Sequence, residues 1–493
     1  MLADGQSVSV AAPLPCVSLI RHFPTLIHCR SAYLVTKTFD AASDTVSLFF
    51  LLRRYLFYAY TIPVRLPFKY GLCTRGHLCY TAHMNTVVIG AQWGDEGKGK
   101  IVDYLAAEAD AIVRYSGGAN AGHTIVAGGK QYALHLVPSG ILYPGKKVYL
   151  GTGMVIDPEA LFAELAMLKE QGVDWENRVF ISDRAHVVFP RYRAEDKKRD
   201  SERKHPIGTT GRGIGTAYSM KSERDGIRIA DLFWKEKAAE MPAEDTAFIE
   251  PYKDRLKDMK VDMCSHMYRL QQSRVLLEGA QGAMLDLDSG TYPYVSSGMS
   301  GASGAAAGAG IGPRDIDRVL GVFKAYSTRV GNGPLPTEFD EHSQSELYRF
   351  VRETGREYGV TTGRPRRCGY LDLVALRYAC RVNSVSDLVL THLDIYDSLD
   401  TIEACIAYDI DGSIVTDFPA DIGALNRAKP VLEKFKGWKT VLKNCRSFSE
   451  LPKEAASYIS FIEDYCDTPV NIVSVGYERA ETLMRIEPFA RSR

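Results

Sequence analysis

The sequence carries no net charge and shows no sign of a membrane-bound or disulfide-bonded protein. Its 493 residues include 60 basic and 60 acidic side chains, so the overall charge gives no reason to expect nucleic acid or membrane binding. The ten cysteines are scattered and form no C-x-x-C pair, which is typical of reduced thiols rather than of a disulfide framework or zinc site. We therefore expect a cytoplasmic protein with no nucleic acid partner and no membrane attachment.

The N-terminal part lacks a long uninterrupted apolar run. Its most apolar stretch, residues 46–60, is split by Arg53 and Arg54 and is too short to span a bilayer. Residues 1–83 hold eight Arg and Lys against three Asp and Glu and show no persistent periodicity. We interpret residues 1–83 as an upstream extension without a catalytic role, either disordered or not part of the native protein. A transit peptide is the open alternative, because the segment is basic and poor in acidic residues.

From Met84 onward, strand-like and helix-like segments alternate. This pattern predicts an α/β domain over residues 84–493, with a mainly parallel central sheet and helices on both faces. Small antiparallel additions are expected at residues 402–418, where Asp411-Gly412 suits a hairpin turn. The run SGASGAAAGAGIG at 300–312 indicates a closely packed Ala/Gly helix or loop. In such a fold, ligands gather at the carboxyl ends of the strands.

The most informative stretch is NTVVIGAQWGDEGKGK at residues 85–100. It predicts a buried strand, a glycine-rich loop and a helix, an arrangement whose backbone N–H groups suit a phosphate. The usual phosphate loop places Ser or Thr after Gly-Lys, whereas this one has Gly99 there and carries Asp95 and Glu96 inside the loop. A carboxylate beside a phosphate is unfavourable unless it holds a metal or moves a proton. The alternative is a tight structural turn between strand and helix.

Five further loops carry polar side chains, and four of them also contain glycine. Thr209 and Thr210 could hold a phosphate, the arginines of 360–367 suit carboxylates or phosphates, and His123 suits proton transfer near neutral pH. Each loop also has a structural alternative, such as a surface turn or a solvated basic segment. The loops are SGGANAGH (116–123), IGTTGRGIG (207–215), EGAQGAMLDLDSGTYPYVSS (278–297), VTTGRPRR (360–367) and THLD (391–394).

The string GAQWGDEGKGK resembles the signature of the adenylosuccinate synthetase family, and the other loops match that family in order across residues 84–493. The resemblance implies a P-loop-like GTP site and a GTP-dependent ligase that joins L-aspartate to IMP. Its products would be adenylosuccinate, GDP and phosphate, formed through 6-phosphoryl-IMP in de novo AMP biosynthesis, with Mg²⁺ as cofactor. The main alternative is a GTP-binding regulatory switch, and a second is another ATP-dependent amide or amine ligase.

The resemblance also implies roles for individual residues. Asp95 would be the catalytic base, His123 the acid at the 6-oxygen of IMP, and Lys98 a catalytic cation; Asp95 and the carbonyl of Gly122 would hold the metal. The residues implied in GTP binding are Gly94, Glu96, Gly97, Lys98, Gly99, Gly122, Thr124, Arg366, His392, Asp394, Ser474 and Gly476. Those implied in IMP binding are Asp95, Asn120, Thr210, Arg224, Gln281, Ser296 and Arg364. Those implied in aspartate binding are Thr361, Thr362, Gly363, Arg364 and Arg366.

Two of these positions differ from the family pattern, and one implies an oligomer. His392 stands where the family has lysine, and Ser296 where it has threonine. Asp394 remains suited to read guanine, because it can accept hydrogen bonds from N1–H and the 2-amino group. Arg224 is implied to reach the IMP phosphate of a neighbouring subunit, which predicts a homodimer.

We predict that a chain beginning at Met84 folds and keeps full activity, because the first core strand begins at Thr86 whereas residues 1–83 show no periodicity. Soluble yield, thermal unfolding and ligase activity should match those of the full chain. Loss of soluble, active protein on this truncation would show that the extension belongs to the fold.

Overall fold

The computed structural model describes residues 84–127, 129–340, 342, 344–358 and 365–489, with only the backbone of His123, Thr124, Ala127 and Ser345. The N-terminal segment 1–83 lies outside these residues, as do the predicted site residues Thr361, Thr362, Gly363 and Arg364.

The described chain alternates strands and helices. In order, the strands are β1 (Met84–Gly90), β2 (Ala111–Arg114), β3 (His123–Ala127), β4 (Lys130–Leu134), β5 (Lys147–Leu150), β6 (Val155–Ile156), β7 (Val179–Ser182), β8 (His186–Val187), β9 (Lys260–Val261), β10 (Arg274–Glu278), β11 (Arg318–Lys324), β12 (Ser327–Arg329), β13 (Arg367–Gly369), β14 (Leu371–Asp372), β15 (Asp387–Thr391), β16 (Thr401–Ile410), β17 (Ser413–Val415), β18 (Lys429–Lys436), β19 (Val470–Ser474) and β20 (Thr482–Met484). The α-helices are α1 (Lys98–Ala106), α2 (Pro158–Glu170), α3 (Pro190–Glu202), α4 (Ile214–Glu223), α5 (Lys235–Ala239), α6 (Ala243–Ile249), α7 (Lys253–Met259), α8 (Met263–Arg269), α9 (Ser303–Ala309), α10 (Ser345–Thr354), α11 (Leu373–Asn383), α12 (Ile422–Arg427) and α13 (Lys453–Cys466).

Ten strands form one central sheet in the order β20-β19-β15-β11-β1-β10-β2-β5-β7-β9. All neighbours in this sheet are parallel except β19 and β20. β1 lies near the middle, between β10 and β11, so its carboxyl end opens onto the centre of the sheet edge. The predicted α/β class with a mainly parallel sheet is confirmed.

Both faces of the sheet are covered. Along β1, Val88 joins the hydrophobic cluster that contains Leu105 of α1, whereas Val87 and Ile89 join the cluster that contains Ala305 of α9. Successive side chains of a strand point to opposite faces, so the continuous apolar run of β1 is buried on both sides, as parallel strands require.

One prediction about the strands is wrong. The run LGVFKAYSTRV at residues 320–330 predicts a single strand, but β11 ends at Lys324 and β12 leaves the sheet to pair antiparallel with β13. The break is stabilised by Gln92, whose side-chain amide donates to the carbonyls of Lys324 and Tyr326 and accepts from the Lys324 N–H. The change of direction brings Lys324 and Arg329 to the carboxyl edge of the sheet.

The smaller additions follow the predictions. β16 and β17 form an antiparallel hairpin whose turn residues Asp411 and Gly412 both have positive φ, as a tight hairpin turn requires. The Ala/Gly run contains α9, where a Cβ on Gly308 would lie 2.2 Å from the Tyr115 carbonyl oxygen. The small residues therefore permit close packing against the chain that follows β2. Within the described residues, no helix has the length and apolar character needed to cross a bilayer.

Candidate active site

A cavity of about 840 Å³ opens at the carboxyl edge of the parallel strands. Its walls come from the segments that follow β1, β2, β10, β11, β15 and β19, which is where an open parallel sheet places ligands. The predicted site residues in its lining are Gly94, Asp95, Gly97, Lys98, Gly99, Asn120, Gly122, Thr210, Gln281, Ser296, Arg366, His392, Asp394, Ser474 and Gly476.

The loop between β1 and α1 is folded around the buried Glu96. The Glu96 carboxylate accepts the N–H groups of Gln92 (3.1 Å) and Gly94 (2.8 Å) and an ion pair from Lys98 Nζ (2.6 Å). A Cβ on Gly90 would lie 2.3 Å from Glu96 Oε2, so this glycine makes room for the carboxylate. Glu96 is fully buried and lies behind the cavity wall, so its side chain shapes the loop.

Asp95 is the loop carboxylate that faces the cavity. Its φ of 59° places it in the left-handed region, which Asp tolerates better than most residues. Arg366 Nε donates to Asp95 Oδ2 at 2.7 Å, and Arg366 Nη1 donates to Glu357 Oε2 at 3.0 Å. Glu357 in turn pairs with Lys324 Nζ at 2.6 Å. A chain of alternating charges thus runs from the cavity to the interior.

Glu357 is the buried centre of this chain. Burial acts to raise the pKa of its carboxyl, but the positive charges of its partners Lys324 and Arg366 outweigh burial and bring that pKa down to about 2. The carboxylate is therefore ionised at physiological pH and anchors two cations at the cavity wall.

The 207–215 loop is held by carboxylates of α3. Asp200 accepts the N–H groups of Ile207, Gly208 and Thr209, at 2.8 to 3.1 Å. Asp196 accepts the Thr209 hydroxyl at 3.0 Å. Thr209 and Thr210 both line the cavity, and these contacts already engage the Thr209 hydroxyl within the protein.

The far end of the cavity lies after β15. His392 has a φ of 56°, and its ring meets Tyr326 edge-on at 5.9 Å. Burial, followed by the nearby charge of Lys324, lowers the pKa of His392 to about 3, so the imidazole is neutral at physiological pH. Burial also raises the pKa of Asp394 to about 6.

Comparison with known proteins identifies the family. The family model described as adenylosuccinate synthetase matches residues 87–250 and 239–483. The chain belongs to the adenylosuccinate synthetase family. It is similar to the adenylosuccinate synthetases of Caldanaerobacter subterraneus subsp. tengcongensis (46% identity over 81% of this chain and 98% of the relative) and Acaryochloris marina (47% identity over 82% and 95%). Its fold matches a fully ligated adenylosuccinate synthetase from Plasmodium falciparum with a TM-score of 0.75 and 37% identity, over 82% of this chain and all of the other.

Membership of the adenylosuccinate synthetase family confirms the predicted enzyme class, a ligase that forms a carbon–nitrogen bond. The alternative of a GTP-binding regulatory switch is not supported. The roles predicted for individual residues stay predictions.

Several predicted positions do not enter the described cavity wall. Arg224 lies exposed at the C-terminal end of α4, outside the cavity lining of its own chain. The side chains of His123 and Thr124, and the whole of residues 361–364, lie outside the described residues.

Sequence reasoning missed several charged residues that line the cavity, among them Lys100, Lys324, Arg329 and Glu357. Lys100 carried a signal, since it repeats the Gly-Lys pair of the phosphate loop. Lys324 and Arg329 lie in an apolar run that is typical of one strand, and Glu357 follows a helix with no pattern around it. These three are recognisable only through their contacts in the fold.

We predict that Glu357→Gln lowers the free energy of unfolding by about 3 kcal/mol, because two cations at the cavity wall lose their shared anion. Denaturant unfolding at pH 7 measures this, with the exposed Glu176→Gln (paired to Lys169) as a control that should change it by less than about 0.5 kcal/mol. Since folding depresses the pKa of Glu357, the stabilisation is full above pH 4.5, the ordinary glutamate value, and is lost as the pH falls towards about 2. Equal losses of unfolding free energy in Glu357→Gln and Glu176→Gln would contradict the stabilising role of the buried Glu357.

Proposed function

We propose that this protein uses GTP to join L-aspartate to IMP, releasing adenylosuccinate, GDP and phosphate. The observation that carries the proposal is that one cavity is lined by the exposed carboxylate of Asp95, by the glycine-rich loop that carries it and by Thr210 of a second loop suited to a phosphate. A volume of about 840 Å³ is within the range of small-molecule sites. A nucleotide switch needs the first site but neither the second nor the carboxylate.

In the first step, Asp95 accepts the proton from N1 of IMP, and the 6-oxygen attacks the γ-phosphorus of GTP. The bond from that phosphorus to the β-phosphate oxygen breaks, so GDP leaves. Lys98 and the loop N–H groups stabilise the charge on the transferring phosphoryl group. His123 is proposed to assist as an acid at the 6-oxygen.

In the second step, the amine of aspartate attacks C6 of 6-phosphoryl-IMP. The C6–O bond breaks and inorganic phosphate leaves, while the nitrogen gives up its proton. Phosphorylation is needed because phosphate is a much better leaving group than the original oxygen. Arg366, with residues 361–364, is proposed to hold the aspartate carboxylates, since a guanidinium pairs with a carboxylate through two parallel hydrogen bonds.

The residues present fit Mg²⁺. Asp95 offers an exposed carboxylate and Gly122 a backbone carbonyl, both in the cavity lining, and no cluster of three or more metal-ligating side chains occurs among the described residues. Mg²⁺ commonly takes one or two protein oxygens and completes its shell with substrate phosphates and water. When bound, it would supply positive charge at the phosphates. Asp95 and Gly122 would be its protein ligands.

We also propose a cytoplasmic location. The described cysteines, namely Cys264, Cys368, Cys380, Cys405, Cys445 and Cys466, are free thiols. This supports a reducing compartment.

The reaction is tested by mixing the protein with Mg²⁺, IMP, aspartate and either GTP or ATP, and following the absorbance of adenylosuccinate. We predict that Asp95→Asn lowers kcat by roughly 10²-fold or more while the Kd for GDP changes little. Asparagine keeps the size and tolerates the left-handed backbone, but it cannot accept the proton. The exposed Glu176→Gln is the control and should keep full activity. Near-normal turnover by Asp95→Asn would exclude Asp95 as the base.

We further propose a homodimer in which Arg224 completes the IMP site of the partner subunit. Its exposure outside its own cavity supports a role in trans. We predict that Arg224→Leu raises KM for IMP much more than KM for GTP. Mixing Arg224→Leu with Asp95→Asn should restore activity, towards roughly a quarter of the wild-type value. Half of randomly paired dimers are mixed, and each holds one intact site of two. If activity does not return although the subunits are shown to exchange, Arg224 acts in the active site of its own chain.

A further inference from the structure

Lys100 lies in the first turn of α1 but extends to the opposite end of the cavity. Its Nζ donates to the Ser474 hydroxyl (2.8 Å), the Gly476 carbonyl (2.8 Å) and the Glu481 carbonyl (3.2 Å). An ammonium group has three protons, so these bonds account for all of them. Lys100 is therefore committed to the 474–481 segment rather than free to contact a phosphate.

The segment that Lys100 holds is a tight turn. The Ser474 hydroxyl donates to the Gly476 carbonyl at 3.0 Å, and the Val475 N–H donates to the Glu481 carbonyl at 3.0 Å. A Cβ on Gly476 would lie 2.3 Å from Glu481 Oε2. Lys100 bonds to three positions of this turn at once and fixes where it lies against the cavity.

A second contact joins the same helix to the same segment. Asp103, one turn after Lys100, accepts a two-point ion pair from Arg479, with Nε–Oδ2 at 2.7 Å and Nη2–Oδ1 at 2.9 Å. Residues three apart lie on one face of a helix. α1 thus holds the 474–481 segment through two side chains, Lys100 and Asp103. Lys100 is the one that contacts Ser474 and Gly476, which line the cavity.

Lys100 also acts on Asp394 through its charge. Burial disfavours the carboxylate form of Asp394, and the charges that face it are Asp397 from its own segment, Glu481 from the turn and Lys100 from α1. The two anions oppose ionisation of Asp394 and Lys100 favours it. A carboxylate can accept two hydrogen bonds from guanine N1–H and the 2-amino group, whereas adenine presents an acceptor at N1.

We propose that Lys100 is a positioning residue for base recognition: it fixes the 474–476 turn and keeps Asp394 in the form that selects guanine over adenine. This inference deepens the proposed function, since it rests on a guanine nucleotide occupying the cavity. It assigns Lys100 no contact with the substrate itself.

The test is direct nucleotide binding by titration calorimetry, which does not depend on catalysis. Lys100→Met keeps the length of the side chain but removes the charge and the donors. We expect it to weaken GDP binding roughly 10- to 100-fold, which is the effect of losing charge-assisted hydrogen bonds. We also expect a smaller ratio of the Kd for ADP to the Kd for GDP, because the preference for guanine is reduced. Lys100→Arg keeps the charge and should recover part of that preference. If Lys100 instead served the phosphates, GDP and ADP would weaken by the same factor, which would overturn the proposal.

A pH profile of the unmodified protein gives an independent test and covers the case in which Lys100→Met does not fold. Burial lowers the pKa of Lys100 to about 8, against the raising effect of Asp394 and Glu481. Protonation of Asp394, whose pKa is about 6, weakens guanine binding below that pH, and deprotonation of Lys100 weakens it above about 8. GDP affinity should therefore be highest between about pH 6 and about pH 8. Where Lys100→Met folds, the fall in its GDP affinity above about pH 8 should be absent. The proposal would be overturned if the GDP affinity of the unmodified protein did not change with pH. It would also be overturned if Lys100→Met lost GDP affinity above about pH 8 to the same extent as the unmodified protein.

Failure of this inference is distinguishable from failure of the proposed function. If the unmodified protein prefers GDP over ADP, and Lys100→Met matches it within twofold in affinity and preference, only the role of Lys100 is refuted. If the unmodified protein shows no preference for GDP, the guanine site fails, and the role of Lys100 fails with it.

Discussion

The site is built around the buried carboxylate of Glu96. An anion inside a phosphate-binding loop would repel the ligand if it faced the cavity, but Glu96 points inward, where Lys98 and two backbone N–H groups neutralise it. Leaving such a charge unpaired in the interior would be strongly destabilising, so the loop closes around it and Gly90 leaves the required space. With Glu96 turned in, its neighbour Asp95 turns out, because the backbone between them passes through the left-handed region. One internal ion pair thereby decides which of two adjacent carboxylates is available for chemistry.

The same principle extends from the loop into the rest of the cavity wall. Asp95, Arg366, Glu357 and Lys324 alternate in sign, and two of their three ion pairs, Asp95 with Arg366 and Lys324 with Glu357, join different segments of the chain. The buried Glu357 stays ionised because cations surround it, and these cations keep fixed positions because Glu357 is there. A cavity lined by paired charges holds its side chains in place before any ligand arrives, which reduces the reorganisation that a polar reaction needs.

The sequence predicted the sheet and its ligand edge because the information is local: apolar runs, glycine loops and helix starts repeat along the chain. The turn at Asp411-Gly412 and the close-packed helix α9 were predictable for the same reason. The end of β11 was not, because Lys324-Ala325-Tyr326 is apolar enough to continue a strand, and the residue that ends it, Gln92, lies 232 positions before Lys324. Glu357 was missed likewise, and the Gly-Lys pair that marks Lys100 does not indicate its contacts with the 474–481 segment. Their roles come from partners on other elements, and nothing in the neighbouring sequence records those partners.

Helix α1 joins the two ends of the proposed nucleotide site. Its first residue, Lys98, lies at the phosphate loop, while Lys100 and Asp103 hold the 474–481 segment on the far side of the cavity. An α-helix rises 1.5 Å per residue, and its hydrogen-bonded backbone makes it stiffer than a loop. The spacing between the phosphate end and the far end is therefore set by a rigid element. Because β19 delivers Ser474 from the parallel sheet and β1 delivers the glycine-rich loop from the same sheet, both ends are fixed to one scaffold.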